Sequence, residues 1–217
     1  MIKAVIFDMD GLMIDTEKLL MRFWIESAQS FGFNMTKEDV LSIRSLAGKY
    51  TEIKLKKRFG NSFDYKAVRA RRIELMNAYI LKNGIEKKKG LDELLIYLKE
   101  NGYKTSVATA TDLKRASMYL DIIDVKKYFD KIVCATMVKN GKPKPDIYLK
   151  ACEELGVLPC EAIALEDSPN GIISAHDAGC KAVMVPDLSE PDEEIKSFLY
   201  ERIDSLDLLI PILKNNI

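Results

Sequence analysis

Five short apolar runs constrain the fold of this chain more than any other feature: "KAVIFD" at 3–8, "KTSVAT" at 104–109, "KIVCAT" at 131–136, "AIALED" at 162–167 and "KAVMVP" at 181–186. Each is too short for a buried helix and has the unbroken apolar character of a strand covered on both faces. Around them lie stretches with helical periodicity: "GLDELLIYLKENG" at 90–102, "DLKRASMYLDI" at 112–122, "PDIYLKACEELG" at 145–156 and "SPNGIISAHDAG" at 168–179. Three of these stop at a glycine suited to close a helix. Strands alternating with helices predict an α/β fold, a parallel sheet with helices on both faces.

The alternation fails once. From residue 16 to residue 83 no strand pattern is found, but amphipathic stretches recur in "EKLLMRFWIESAQSFG", "TKEDVLSIRSLAG", "EIKLKKRFG" and "YKAVRARRIELMNAYILKNG". The expected organisation is therefore a core of residues 1–15 and 84–217 with an all-helical insertion at 16–83, "KKK" at 87–89 marking the return. The 33 basic and 33 acidic side chains cancel, and that balance argues against a nucleic-acid binder. Residues 37–89 nevertheless hold fifteen Lys/Arg against six Asp/Glu, either solvated helix faces or a surface that attracts anionic small molecules. Cys134, Cys152, Cys160 and Cys180 form no CxxC pair and His176 is the only histidine, so neither zinc nor disulfides are expected. "MIKAVIF" meets an aspartate at residue 8, and no run nears the ~18 apolar residues of a membrane helix. A soluble, cytoplasmic, monomeric protein without membrane partners is expected.

In an open parallel sheet, ligands gather at the carboxyl ends of the strands. Asp8 and Asp10 follow the first run, Thr109 ends the second, Lys142 lies in "NGKPKPD" after the third, and Glu166 and Asp167 end the fourth. Singly, each has an ordinary reading as a turn former, a solvated loop lysine or a helix cap. Together they put four carboxylates, a hydroxyl and an ammonium on one face. Four carboxylates against one ammonium leave an excess negative charge that a cation must offset, and oxygen donors without histidine or cysteine favour Mg²⁺. The waters and phosphate oxygens that Mg²⁺ keeps point to phosphate chemistry.

"DMDGLMIDTE" at 8–17, "VATATD" at 107–112, "GKPKPDIY" at 141–148 and "LEDSPNGIISAHDAG" at 165–179 resemble, in order and spacing, the four motifs of the haloacid dehalogenase-like hydrolases. More narrowly they are similar to the β-phosphoglucomutase-like subgroup. The resemblance implies a Rossmann-like parallel sheet core with an inserted all-helical cap domain. It implies that Asp8 is the nucleophile forming an aspartyl-phosphate and Asp10 the general acid and base, with Thr16 placed to orient it. It further implies that Thr109 and Ala110 bind the phosphoryl group and that Lys142 neutralises its charge. Mg²⁺ would be held by Asp8, the Asp10 carbonyl and Asp167, with Glu166 in or beside that set. The substrate would be a small phosphorylated metabolite, a sugar or polyol phosphate.

A phosphatase and a sugar-phosphate mutase share all these residues. The mutases of the subgroup carry a histidine twelve residues after the nucleophile and an arginine after the glycine of the cap loop. Leu20 and Thr51 stand at those places here, although Arg44, Lys49, Arg69, Arg71 or Arg72 could supply the missing cation. The departures favour a phosphatase. A phospho-accepting receiver module is a third reading, weakened by the helical insertion and by the Asp-x-Asp-Gly after the first strand. His176 is expected to be a surface or packing residue, since its helix leads away from the strand ends.

Overall fold

The structure, a computed structural model, describes residues 1–215. Strand β1 (Ala4–Phe7) leads into helices α1 (Glu17–Ser30), α2 (Lys37–Leu41), α3 (Gly48–Phe59) and α4 (Tyr65–Asn83). The alternating part follows: α5 (Leu91–Glu100), β2 (Lys104–Thr109), α6 (Leu113–Ile122), β3 (Lys131–Cys134), α7 (Asp146–Leu155), β4 (Ala162–Glu166), α8 (Pro169–Asp177) and β5 (Lys181–Met184). Helix α9 (Glu193–Lys196), strand β6 (Glu201–Arg202) and helix α10 (Leu209–Lys214) complete it. The six strands are parallel, in the order β3-β2-β1-β4-β5-β6. The strand order reverses between β1 and β4, the kind of switch point at which α/β sheets bind ligands.

Side-chain alternation along the strands divides the core in two. Val5, Phe7, Val107, Ile163, Leu165 and Val183 face one way, against Leu94 and Leu98 of α5, Tyr119 and Leu120 of α6 and Leu209 and Leu213 of α10. Ala4, Ile6, Ala108, Val133, Ala164 and Met184 face the other, against Ile147, Tyr148 and Ala151 of α7 and Ile172 and Ala175 of α8. The helical insertion builds a third cluster of its own, with Trp24, Ala28, Val40, Leu55, Phe63 and Val68 buried together.

The five strands and four core helices fall where the apolar runs and periodicity predict them, with small differences. The third run overshoots: β3 stops at Cys134 and the chain turns through Ala135–Met137. Strand β6 is exposed on an edge and only two residues long, so it carries no apolar signal. "TKEDVLSIRSLAG" is not one helix either. Its helix ends at Leu41, and Ser45 adopts a left-handed φ of 54° that a right-handed helix cannot continue. Arg44 lies just before that break and reaches Asp167 at the sheet edge. The glycine of the expected cap loop, Gly48, instead opens α3, which places Thr51 inside a helix. His176 is exposed, 3.4 Å from Asp177 and against the Phe198 ring, as expected of a surface residue. Among the described residues no helix is long and apolar enough to cross a membrane, and all four cysteines are free.

Phe63 is fully buried, with ring centroids 4.9 Å from Phe33 and 5.2 Å from Phe59. Phe63→Ala should cost about 3–5 kcal/mol and loosen the helical insertion while the sheet stays folded. Urea unfolding followed by hydrogen exchange checks this, with lost protection expected in α1–α4 before β1–β5.

Candidate active site

Asp8 directly follows the central strand; its backbone N–H donates to Leu165 O at 3.0 Å, so it prolongs the β1–β4 ladder to the carboxyl edge. Its side chain is buried. The Lys142 ammonium donates to Asp8 Oδ1, to Glu166 Oε1 at 2.5 Å and to the Ala108 carbonyl at 2.9 Å, so all its protons are used. Tyr148 Oη also donates to Glu166 Oε1, at 2.7 Å, and Ser168 donates to Oε2 at 3.2 Å. Gly171 leaves the space that the Glu166 carboxylate fills. Glu166 thus has both oxygens engaged in fixing Lys142 and its own position.

Asp10 is held differently. Thr16 donates to its Oδ1 and Thr111 to its Oδ2, both at 2.8 Å. Two hydroxyls therefore fix the orientation of the carboxylate and leave it partly accessible. Gly11, at φ +89°, turns the chain after it, and a side chain there would run into the Asp167 carboxylate and Glu17. Thr109 is buried at the end of β2 and accepts a hydrogen bond from the Thr111 N–H at 3.0 Å.

Carboxylate oxygens of Asp8, Glu166 and Asp167 lie within 4.8 Å of one another, all buried. Burial pushes the carboxyl groups of Asp8 and Asp167 well above the usual range, and neighbouring carboxylates add to this. Lys142 opposes the rise at Asp8, and Arg44 opposes it at Asp167. Burial alone would lower the ammonium pKa of Lys142, but Asp8 and Glu166 outweigh it and keep the group charged. Asp167 Oδ1 is buried without a hydrogen-bond partner. An orphaned oxygen beside two further carboxylates is a donor set suited to a hard divalent cation.

Arg44, carried by the turn between α2 and α3, reaches this cluster from the insertion. Its Nη2 donates to Asp167 Oδ2, its Nη1 donates to Ser189 Oγ at 3.0 Å, and its Nε lies 3.2 Å from Glu17 Oε2. Burial raises the Glu17 carboxyl to about 8 despite Arg44, because Asp10, Asp187 and Asp8 are also near. Further links close the insertion onto the sheet: Ala47 N–H to Lys142 O at 3.0 Å, Asn170 Nδ2 to Arg44 O at 2.9 Å and Lys49 Nζ to Asn140 Oδ1 at 2.6 Å.

Between the two parts lies a cavity of about 100 Å³, floored by Asp8, Asp10, Thr109, Ala110 and Thr111 and roofed by residues of α1–α4. Leu20 and Thr51 both line it. The structure brings Asp8, Asp10, Thr16, Thr109, Ala110, Lys142, Glu166 and Asp167 to this edge of the sheet; of the basic candidates Arg44, Arg69 and Arg72 line the cavity, whereas Lys49 bonds Asn140 and Arg71 pairs with Glu74. Sequence reasoning missed Thr111, Tyr148 and Glu17, and it named Arg44 only as a possible substitute cation of the cap, not as the partner of Asp167 and Glu17. Thr111 was within reach, being two residues past Thr109 in "TATD". Tyr148 and Arg44 had no local signal, since their roles depend on how α7 and the insertion dock.

Fold and site together define a Rossmann-like α/β domain whose strand ends bury an acidic cluster and a lysine beneath a helical insertion. The family model described as haloacid dehalogenase-like hydrolase matches residues 5–185, and the chain belongs to that family. It is 30% identical over 184 residues, 83% of each chain, to the phosphorylated carbohydrates phosphatase of Thermotoga maritima. The structure of CbbY from Rhodobacter sphaeroides in complex with phosphate matches at a TM-score of 0.81 and 28% identity, over 96% of both chains. β-Phosphoglucomutase from Clostridium difficile matches at 0.82 and 26% identity, over 99% of this chain and 96% of that one.

Thr111→Val should lower kcat about tenfold with little change in KM, because Asp10 loses one of the two hydrogen bonds that hold it and gains freedom. Steady-state kinetics of the variant check this; an unchanged kcat would mean that Thr16 alone orients Asp10.

Proposed function

We propose that the chain is a Mg²⁺-dependent phosphatase that hydrolyses a small sugar or polyol phosphate through an aspartyl-phosphate on Asp8. The observation that carries this reading is the buried Asp8 carboxylate, held through one oxygen by Lys142 at the floor of a cavity that Asp10 also lines. The phosphatase and phosphate-bound relatives support it. In the first step the Asp8 carboxylate attacks phosphorus, the P–O ester bond breaks, and Asp10 gives its proton to the leaving oxygen. Asp10 then takes a proton from water, the resulting hydroxide attacks phosphorus, and the bond to Asp8 breaks to release inorganic phosphate. Thr109 and the Ala110 backbone contact the phosphoryl oxygens, and Lys142 offsets their charge.

Asp8 and Asp167 would hold the Mg²⁺, together with the Asp10 carbonyl. Glu166, its oxygens already engaged, would fix Lys142 from beside that set. When bound, the ion supplies charge neutralisation for the carboxylates and the phosphoryl oxygens. Residues 16–83 act as the cap, opening at Thr16 and near residues 81–88 to admit substrate and closing to exclude water.

Asp8→Asn keeps the shape and removes the nucleophile, so turnover of sugar phosphates should fall by at least about 10³-fold. Chelation by EDTA should abolish wild-type activity, and added Mg²⁺ should restore it. Substantial hydrolysis by the variant would refute the covalent route. The mutase reading draws on the β-phosphoglucomutase likeness, whereas Leu20 and Thr51 in the cavity wall weaken it. With β-glucose 1-phosphate and a trace of the 1,6-bisphosphate, phosphate release should outrun formation of glucose 6-phosphate. Isomerisation in roughly tenfold excess would reverse the assignment.

A further inference from the structure

Cys152 of α7 and Cys180, the residue before β5, stand 28 positions apart in sequence, yet their sulfurs lie 3.8 Å from each other. Both belong to the apolar cluster under α7 and α8, Cys152 2% and Cys180 8% exposed. With Cys180 as the donor of the contact they share, the Cys152 thiol falls below its usual range and the Cys180 thiol rises far above it. An acidified thiol touching a second sulfur is the arrangement of an attacking and a resolving cysteine. Cys134 shows the contrast. It is buried in the opposite cluster with no sulfur partner among the described residues, and burial raises its thiol to about 11. The turn that carries the exposed Cys160 lies against the Cys180 turn, since a Cβ on Gly179 would stand 3.6 Å from Pro159. The residual exposure of Cys180 opens the pair to a small oxidant on that side.

Cys152 shares its face of α7 with Tyr148, one turn earlier. Tyr148 Oη donates at 2.7 Å to Glu166 Oε1, the oxygen that also receives Lys142, and its ring centroid lies 5.2 Å from the Lys142 nitrogen. A disulfide holds its sulfurs about 2.05 Å apart, so closing the contact draws α7 and the turn before β5 together. A close-packed helix transmits such a strain rather than absorbing it, and it reaches the Tyr148 hydroxyl.

We propose that Cys152 and Cys180 are a peroxide-sensitive pair whose closure to a disulfide shifts α7 and slows turnover through Tyr148. The Cys152 thiolate attacks one oxygen of hydrogen peroxide, the O–O bond breaks, and Cys152 becomes a sulfenic acid as hydroxide leaves. The Cys180 thiol then attacks that sulfur, the S–S bond forms, and the sulfenic hydroxyl leaves with the thiol proton as water. The slowing rests on the phosphatase reading, whereas the disulfide does not.

The test uses the full chain carrying Cys160→Ser, which removes the exposed thiol, treated with hydrogen peroxide and then with dithiothreitol. Peptide mass mapping should show Cys152 joined to Cys180 with two hydrogens lost, and Cys134 still a thiol. Over the same course kcat for p-nitrophenyl phosphate should fall at least about fivefold, because small displacements at a catalytic group are costly. Dithiothreitol should restore it, which methionine oxidation would not allow. Cys180→Ala, or Cys152→Ala where the first folds poorly, should form no link and keep its turnover in peroxide. In Tyr148→Phe, which has already lost the hydroxyl, oxidation should change kcat by less than about twofold. Absence of the Cys152–Cys180 link would overturn the proposal. So would a link that leaves kcat unchanged, a loss of kcat that Cys180→Ala shares, or a Tyr148→Phe variant slowed as much as the parent. If the reduced protein hydrolyses no phosphate ester, the phosphatase reading fails, and hydrogen exchange decides the pair: faster exchange along Asp146–Leu155 in the oxidised form upholds it, and equal exchange overturns it.

Discussion

The ammonium of Lys142 is buried between the carboxylates of Asp8 and Glu166, and the site's geometry follows from satisfying it there. Three loops must meet for this to happen: Asp8 follows β1, Glu166 ends β4, and Lys142 arrives from beyond β3 at the edge of the sheet. The pairing of β1 with β4 sets the two carboxylates side by side, and the Ala108 carbonyl at the end of β2 takes the remaining proton of the lysine. Such a cluster gives no cheap stability, because desolvation offsets much of the attraction. Removing one partner would strand the others, at a cost of about 3–5 kcal/mol.

The helical insertion is tied to the same cluster. Arg44 joins Asp167 and Glu17, so a cation from the insertion balances carboxylates of the sheet edge. The backbone link from Ala47 to Lys142 connects the insertion to the loop that carries the lysine. Closure and charge balance are thereby coupled: moving the insertion away exposes the acidic cluster to water and withdraws a positive charge from it. The cavity between the two parts has a polar floor and a wall of Leu20, Trp24, Val40 and Ile43 interrupted by arginines. Its lining is divided accordingly, with hydroxyls and carboxylates below and apolar side chains and guanidinium groups above.

Much of this was legible in the residues. Unbroken apolar runs marked β1–β5, because strands covered on both faces leave no polar alternation to obscure them. The acids at their ends were readable because a parallel sheet places every strand's carboxyl end on the same edge. Asp8, Asp10, Thr109, Lys142, Glu166 and Asp167 could therefore be gathered without coordinates. Strand β6 could not, being two exposed residues whose pairing with β5 is the only reason it is a strand. Nor could the break at Ser45, where an amphipathic pattern continues past a residue with left-handed backbone.

The sequence by itself determined the sheet, the helical insertion and the acidic edge where the strand ends gather, since hydrophobic periodicity and strand polarity are local properties that carry directly into topology. Tertiary structure alone decided which of the basic residues at 37–89 are spent and which are free. Arg44 is consumed by Asp167 and Glu17, while Arg69 and Arg72 face the cavity without carboxylate partners among the described residues. Every one of these arginines looks alike in sequence. Their difference lies in long-range contacts between the insertion and the sheet, 123 residues apart for Arg44 and Asp167, and no local pattern encodes such a distance.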